Sequence, residues 1–539
     1  MSLITLAAIL AATSGGATPD SVPLYRDLGD HHHAISTKNA WAQQYFDQGI
    51  RLVFAFNHEE AIRAFSEAAR LDTTCAMCYW GMALAHGPHV NAPMDSVGSV
   101  AAYAAMEKAI ARSPGATELE QAYIRALTPR YARAAPADRS GLDSAYADAM
   151  ATLVAAHPDD LDAATLYAES LMDLRPWNYW HKDGTPYPGT EVILRQLERV
   201  IASDANHPGA CHYYIHAVEA VDPEKAIPCA ERLAALMPGA GHMVHMPGHI
   251  YIRVGRYNDA IEANIHAAHA DESYIAAEHP SGVYPLGYYP HNYHFLAFAA
   301  SMAGRSAQAI EAGRKLAAAV SVEAARQVPA FQTLIPIDRL VLVTFGRWDA
   351  VLEQPLPPSD LRMAVGLAEY ARGVALAAKG QWQEAEAALD SVRAIAQSTT
   401  PADQTAGTAG EGENTMIMEI AMHALMGEIA ARRGRNEEAI THFKSAIAIE
   451  DAFNYTEPPQ WFYPLRQSLG AVLLRAGKPA EAEVVYRQDL KRFPDNGWSL
   501  FGLAASLKGL GREVEASEVE ARFAHAWRNA DIQLTASRF

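Results

Sequence analysis

Histidine is concentrated in one part of this chain: 11 of its 22 histidines lie between His207 and His294, about three times the even share. They recur at helical spacing. Cys211–Glu219 (CHYYIHAVE) carries His212 and His216 one turn apart, with Glu219 a further turn along. Gly239–Tyr257 (GAGHMVHMPGHIYIRVGRY) carries His242, His245 and His249. On an unbroken helix that i, i+3, i+7 spacing puts the three imidazoles within roughly 60° of one another. Tyr289–Phe295 (YPHNYHF) repeats the first two as His291 and His294. Neutral imidazole is a ligand for zinc, copper, iron and nickel. Three or four imidazoles with one open coordination position would acidify a bound water towards neutral pH, and Glu219 is the candidate general base beside them. The cofactor this pattern implies is a divalent transition metal: zinc, copper or iron.

One residue disturbs the single-face picture. Pro247 stands between His245 and His249. Inside a helix it would remove a backbone bond and clash with the preceding turn, unless a helix starts there. In that case only His249 is on the new helix, and His242 and His245 precede it. Pro290 stands at a first turn and leaves His291 and His294 helical.

Other side chains are weaker candidates. Pro176–Thr190 (PWNYWHKDGTPYPGT) reads as a long aromatic loop, with Trp177 and Trp180 able to cover a ligand. Tyr214, Tyr251 and Arg253 flank the histidines and are candidate ligand-binding groups. His86 and His89 border the insertion Gly87–Asp95. The run His31–His33 sits in a polar N-terminal segment and is expected to be solvated. The chain has no phosphate-cradling glycine loop, nucleophile elbow, HExxH or dinucleotide fingerprint. Its four cysteines, Cys75, Cys78, Cys211 and Cys229, allow two disulfides in three connectivities, or a redox or metal role for the Cys75–Cys78 pair.

The whole chain of 539 residues is half hydrophobic and one-fifth charged, with a formal net charge of −18. That charge argues against a nucleic-acid surface and against adhesion to anionic lipid. Leu3–Ala12 is a short apolar run followed by small residues, the pattern of a secretory signal peptide over residues 1–17. The expectation is an exported, periplasmic protein of a bacterium, with no membrane span.

From Ala42 onward the apolar pattern has a helical period. Small residues at Gly49, Ala61 and Ala68 let helices approach, and Phe65 fills the space between them. The same spacing returns at Gly427, Gly434, Ala439, Phe443 and Ala446, and again at Gly470, Gly477, Ala482, Tyr486 and Pro494. These copies resemble the tetratricopeptide repeat, a helix–turn–helix unit. The YFDQG, FNHEEA, HYYIHAVEA and HMPGHIY stretches also resemble a group of exported bacterial repeat proteins. The implied fold is all-α, a tetratricopeptide-type α-solenoid in which repeats stack into a right-handed superhelix. Its expected segments are an extension over 18–41, repeats with insertions and the histidine-rich groove over 42–355, and C-terminal repeats over 356–539.

The resemblance also implies an orientation. His242 and His245 stand six and three residues before Gly248, as His291 and His294 do before Ala297 and Cys75 and Cys78 before Gly81. In tetratricopeptide proteins those offsets point into the concave groove. The groove would take a metal ion, a small molecule, or a peptide or protein partner. Three readings stay open: a metal-dependent enzyme, a metal-binding or small-molecule carrier, and an interaction scaffold without metal.

Overall fold

The computed structural model describes residues 22–398 and 413–539; the signal-peptide segment lies outside them. Among the described residues every regular element is a helix, apart from two isolated bridges, His89–Ala92 and Trp180–Pro186. The protein is therefore all-α and built from helix pairs of the tetratricopeptide type. No helix among the described residues is long and apolar enough to cross a membrane. The chain folds as two compact units: residues 22–250 with 266–289, and residues 251–265 with 290–539.

In the first unit the helix Ala40–Phe54 starts where the Asn39 side chain accepts the Trp41 and Ala42 amides. The next helix, His58–Leu71, is capped by Asn57. These caps satisfy backbone donors that the first turn leaves without a helical partner. The wedge between helices is Phe65, fully buried. A Cβ built on Gly49 or on Gly81 would come within 2.5 Å of the Phe65 ring. Gly49 and Gly81, on the helices before and after the one that carries Phe65, thus make room for one aromatic ring, and truncating such a ring costs about 3–5 kcal/mol. Two disulfides, Cys75–Cys78 and Cys211–Cys229, use all four cysteines, which removes the thiol-metal alternative.

The second unit holds the regular pairs Arg362–Ala378 with Trp382–Ser398, Glu413–Arg432 with Asn436–Glu450, Leu465–Arg475 with Pro479–Arg492, and Gly497–Gly509 with Glu513–Ala526. Tyr486 repeats the wedge, its ring against both Gly470 and Gly502. Each pair turns on a glycine with positive φ: Gly380 (73°), Gly434 (75°), Gly477 (72°) and Gly511 (72°). The residue after each glycine donates its amide to a carbonyl five back, as Gln381 does to Leu376 at 2.9 Å, which closes a Schellman turn.

The first unit makes the same turn without the glycine. Asn57 donates to the Leu52 carbonyl at 3.0 Å, but the residue before it is Phe56, at φ +56°. A bulky residue in the left-handed region stores strain of about 1–2 kcal/mol. The position of its ring accounts for the exception.

Candidate metal centre

Three short helices bring five imidazoles of the first unit together. His212 and His216 lie on the helix Pro208–Val218, which starts on Pro208 with His207 as N-cap and has every residue buried. An all-buried helix must satisfy its polar side chains internally. His242 and His245 lie on the short segment Gly241–His245, and the helix Pro247–Arg253 restarts at the proline and carries His249. Pro247 thus splits the stretch as its chemistry requires. The five rings are 0–3% exposed, which makes this an enclosed centre.

Two close approaches fix the helices. A Cβ on Gly209 would fall 2.5 Å from the Phe54 ring, so glycine lets the His212 helix lie against the first repeat. There the Phe54 carbonyl accepts from His212 Nδ1 at 2.6 Å. A Cβ on Gly241 would overlap the Asp271 carboxylate, which itself accepts from the Tyr284 hydroxyl at 2.7 Å.

The hydrogen-bond partners assign the ring protons. A carbonyl only accepts, so His212 carries its proton on Nδ1 and presents a bare Nε2. Glu219 Oε1 lies 3.2 Å from His216 Nδ1, and its Oε2 lies 2.6 Å from His249 Nδ1. Both rings donate to the carboxylate, so their Nε2 atoms are bare as well. Yet His212 Nε2 and His216 Nε2 face each other at 3.1 Å, and His242 Nε2 is 3.1 Å from His212 Nε2. A proton on His242 Nε2 can satisfy the second contact. The first stays lone pair against lone pair.

A protonated ring would relieve it, but burial pushes His212, His216 and His249 down to about 3 and His242 well below its ordinary value. These rings are neutral at pH 7. A cation held by His212, His216 and His242 would remove the repulsion, because tetrahedral nitrogens at zinc distances sit about 3.3 Å apart. The three candidate ligand atoms all lie within 4.8 Å of one another. Outer partners on Nδ1, one carbonyl and one carboxylate, are the usual supports of metal-ligating histidines.

Glu219, the candidate base, is 1% exposed, and its two oxygens each receive a ring N–H. Its geometry is that of a positioning residue. Trp177 packs edge-on against His216, ring centroids 4.7 Å apart, and Trp180 donates its indole N–H to Ala217 O at 2.7 Å. Tyr214 points elsewhere, its hydroxyl donating to Glu198 at 3.0 Å.

His291, His294, Tyr251 and Arg253 belong to the second unit. There His294 stacks on Phe462 (6.2 Å), and His291 packs edge-on to Phe295 (4.9 Å). The Arg256 guanidinium covers the Tyr251 ring (4.5 Å), while Arg253 lies over Tyr455 and 3.8 Å from Glu457.

Sequence reasoning missed the residue at the middle of the centre. Phe56 lies 4.4 Å from the His212 ring, 5.6 Å from His242 and 6.0 Å from His216. The left-handed turn aims it there. Trp177, also at positive φ (62°), is the second strained aromatic against the same rings. The detectable signal was a phenylalanine where the other repeats place a turn glycine.

Phe56 and Tyr288, whose ring is 4.6 Å from His242, also line a cavity of about 290 Å³. Its other walls include His58, Glu59, His86, His89 and Asp95, with no Lys or Arg.

His31 and His33 are not solvated, contrary to expectation. His31 Nε2 and His207 Nε2 each lie 3.0 Å from Asp162 Oδ1, and His33 Nδ1 lies 2.6 Å from Oδ2. His207 Nδ1 accepts the Ala210 amide (3.1 Å), so its Nε2 bears the proton and donates to Asp162. This group is a carboxylate gathering ring N–H donors, whereas in the His212 group the Nε2 lone pairs of His212 and His216 face each other.

Fold and centre together define a helical-repeat protein with a buried, all-imidazole cluster. Residues 468–488 match the tetratricopeptide repeat family model; repeats of this kind are binding scaffolds. No curated protein matches the chain. Among solved structures, the chain is similar to the human IFIT1 dimer with m7Gppp-AAAA (13% identity, 92% of both chains, TM-score 0.30). It is similar also to the APC/C hetero-tetramer Cut9–Hcn1 (12%, 90% of this chain and 76% of that one, 0.30) and to the P58(IPK) TPR domain (12%, 87% and 98%, 0.21). At these scores the likenesses carry no functional weight.

Proposed function

We propose that this is an exported metal-binding repeat protein whose metal ion is held by His212, His216 and His242 and takes a small-molecule ligand. The observation that carries the reading is the 3.1 Å approach of two bare Nε2 atoms, His212 and His216, inside a neutral, buried cluster. The donor set is all nitrogen, which suits zinc, copper or iron. A three-histidine ion keeps a position open for water or ligand. The adjoining cavity of about 290 Å³ supports a small molecule as that ligand, since Phe56 and Tyr288 wall both spaces. Two disulfides support an oxidising compartment.

Elemental analysis of untagged full-length protein tests the reading. The expected result is stoichiometric transition metal that is lost in His212→Ala and His216→Ala. Metal-free protein that stays so after incubation with zinc, copper and iron salts would sink it.

A further inference from the structure

Resting on the reading of the adjoining cavity as a ligand space, and not on the metal itself, we infer that this cavity takes a small primary amine. The ammonium group sits at Glu59 and Asp95 against aromatic rings, and a hydroxyl of the same molecule meets Tyr288. Both carboxylates line the cavity of about 290 Å³, and no Lys or Arg does. The guanidiniums nearby are already committed: Arg63 to Glu60 and Glu278, and Arg130, behind Gly87, to Asp173. The carboxylate end of Glu59 lies under Gly282, where a Cβ would overlap it, while the residue as a whole reaches solvent. Loss of water at that end, then the Asp95 and Glu60 carboxylates, raise Glu59 to about 7. An ammonium group placed beside them reverses that repulsion.

The walls supply the other contacts. Phe56, Tyr284 and Tyr288 line the same space, and aromatic faces attract ammonium groups. The Tyr284 hydroxyl is spent on Asp271. Tyr288 is 2% exposed and its hydroxyl has no hydrogen-bond partner. Beside it, Asn91 stands in the turn of the His89–Ala92 bridge, fully buried, with Oδ1 and Nδ2 also without partners. Buried polar atoms left so are costly, and a ligand hydroxyl at Tyr288 offsets part of that cost. The wall histidines add no positive charge: burial pushes His58 down to about 3, His89 well below its ordinary value, and His86 down as well. A carboxylate ligand would meet Glu59 and Asp95 without a counter-charge.

The test is isothermal titration calorimetry of full-length, untagged protein, stripped with chelator and desalted. Two sets of probes differ only in charge: tyramine, para-ethylphenol and phloretate, and ethanolamine, ethylene glycol and glycolate. The amine of a set is expected to bind about 10–100-fold more tightly than its neutral and acidic counterparts. Glu59→Gln and Asp95→Asn each weaken the amine about tenfold or more, the asparagine keeping the helix cap. Tyr288→Phe weakens tyramine by up to about tenfold and leaves phenethylamine unchanged. Circular dichroism confirms that each variant is folded, and zinc is titrated separately into the same stripped protein.

No binding of either amine overturns the inference, as does an acid that binds as tightly as its amine. Amine binding that is unmoved in folded Glu59→Gln and Asp95→Asn also overturns it. Equal loss of tyramine and phenethylamine in Tyr288→Phe removes the hydroxyl contact from it. Zinc uptake without amine binding sinks the amine site and leaves the metal-binding reading standing; amine binding by protein that takes up no zinc does the reverse.

Discussion

The ring of Phe56 lies 4.4 Å from that of His212, at an interplanar angle of 57°, on a backbone held at φ +56°. One residue thus combines a strained turn with an aromatic wall for the histidines. Strain of this kind persists only where surrounding structure over-determines it. Phe56→Gly restores the turn residue of the other repeats and removes the wall. We expect the relieved turn, about 1 kcal/mol, to offset only part of the about 3–5 kcal/mol lost with the buried ring. Metal affinity should fall. Urea denaturation with a metal-competition assay checks both; unchanged affinity would mean the ring does not support the centre.

Gly209 is the residue that lets His212 reach the Phe54 carbonyl. Gly209→Ala puts a Cβ 2.5 Å from the Phe54 ring. Overpacking of this sort costs about 1–3 kcal/mol. The helix Pro208–Val218 should move away and lengthen the 2.6 Å bond to His212 Nδ1. The readout is a lower midpoint of thermal unfolding together with weaker metal binding. Neutral behaviour in both would show that the helix has slack there.

The Cys211–Cys229 disulfide ties the histidine helix to the helix Ile227–Leu236 across 18 residues of sequence. Closing a loop of that size stabilises by about 3 kcal/mol. The double variant Cys211→Ala/Cys229→Ala should therefore unfold at lower denaturant. Cys75→Ala/Cys78→Ala closes a shorter loop, with sequence separation 3, and should lose less. Equal losses would contradict the loop-length account.

Glu450, in the second unit, gives a pH dependence of its own. It is 3% exposed, its Oε2 lacks a hydrogen bond, and its nearest cation is Arg466 at 3.9 Å. Burial raises its pKa from 4.5 to about 7. The folded state therefore holds this proton more tightly than the unfolded chain does. Its contribution is fully present below pH 4.5 and is lost as pH rises towards 7. Glu450→Gln should be more stable than wild type at pH 8, with the advantage shrinking towards pH 5. A difference independent of pH would refute the assignment.

The sequence by itself determined the helix pairs and the kinds of atom that meet. Gly49 with Phe65, and Gly470 with Tyr486, were legible because each contact is carried by residue size at a fixed helical spacing. The histidine groups at 212–216 and 242–249 were legible for the same reason, and Pro247 announced the break between them. Only the tertiary structure decided which atoms face which. His33 finds Asp162 129 positions away, and no local pattern encodes such a partner. Glu219 read as a free base, but its oxygens are taken by His216 and His249 from two separate helices. Phe56 carried no expectation of its own; a left-handed backbone turns its ring onto His212. Spacing reports which side chains share a face; the protons on their nitrogens depend on donors and acceptors that folding delivers from elsewhere in the chain.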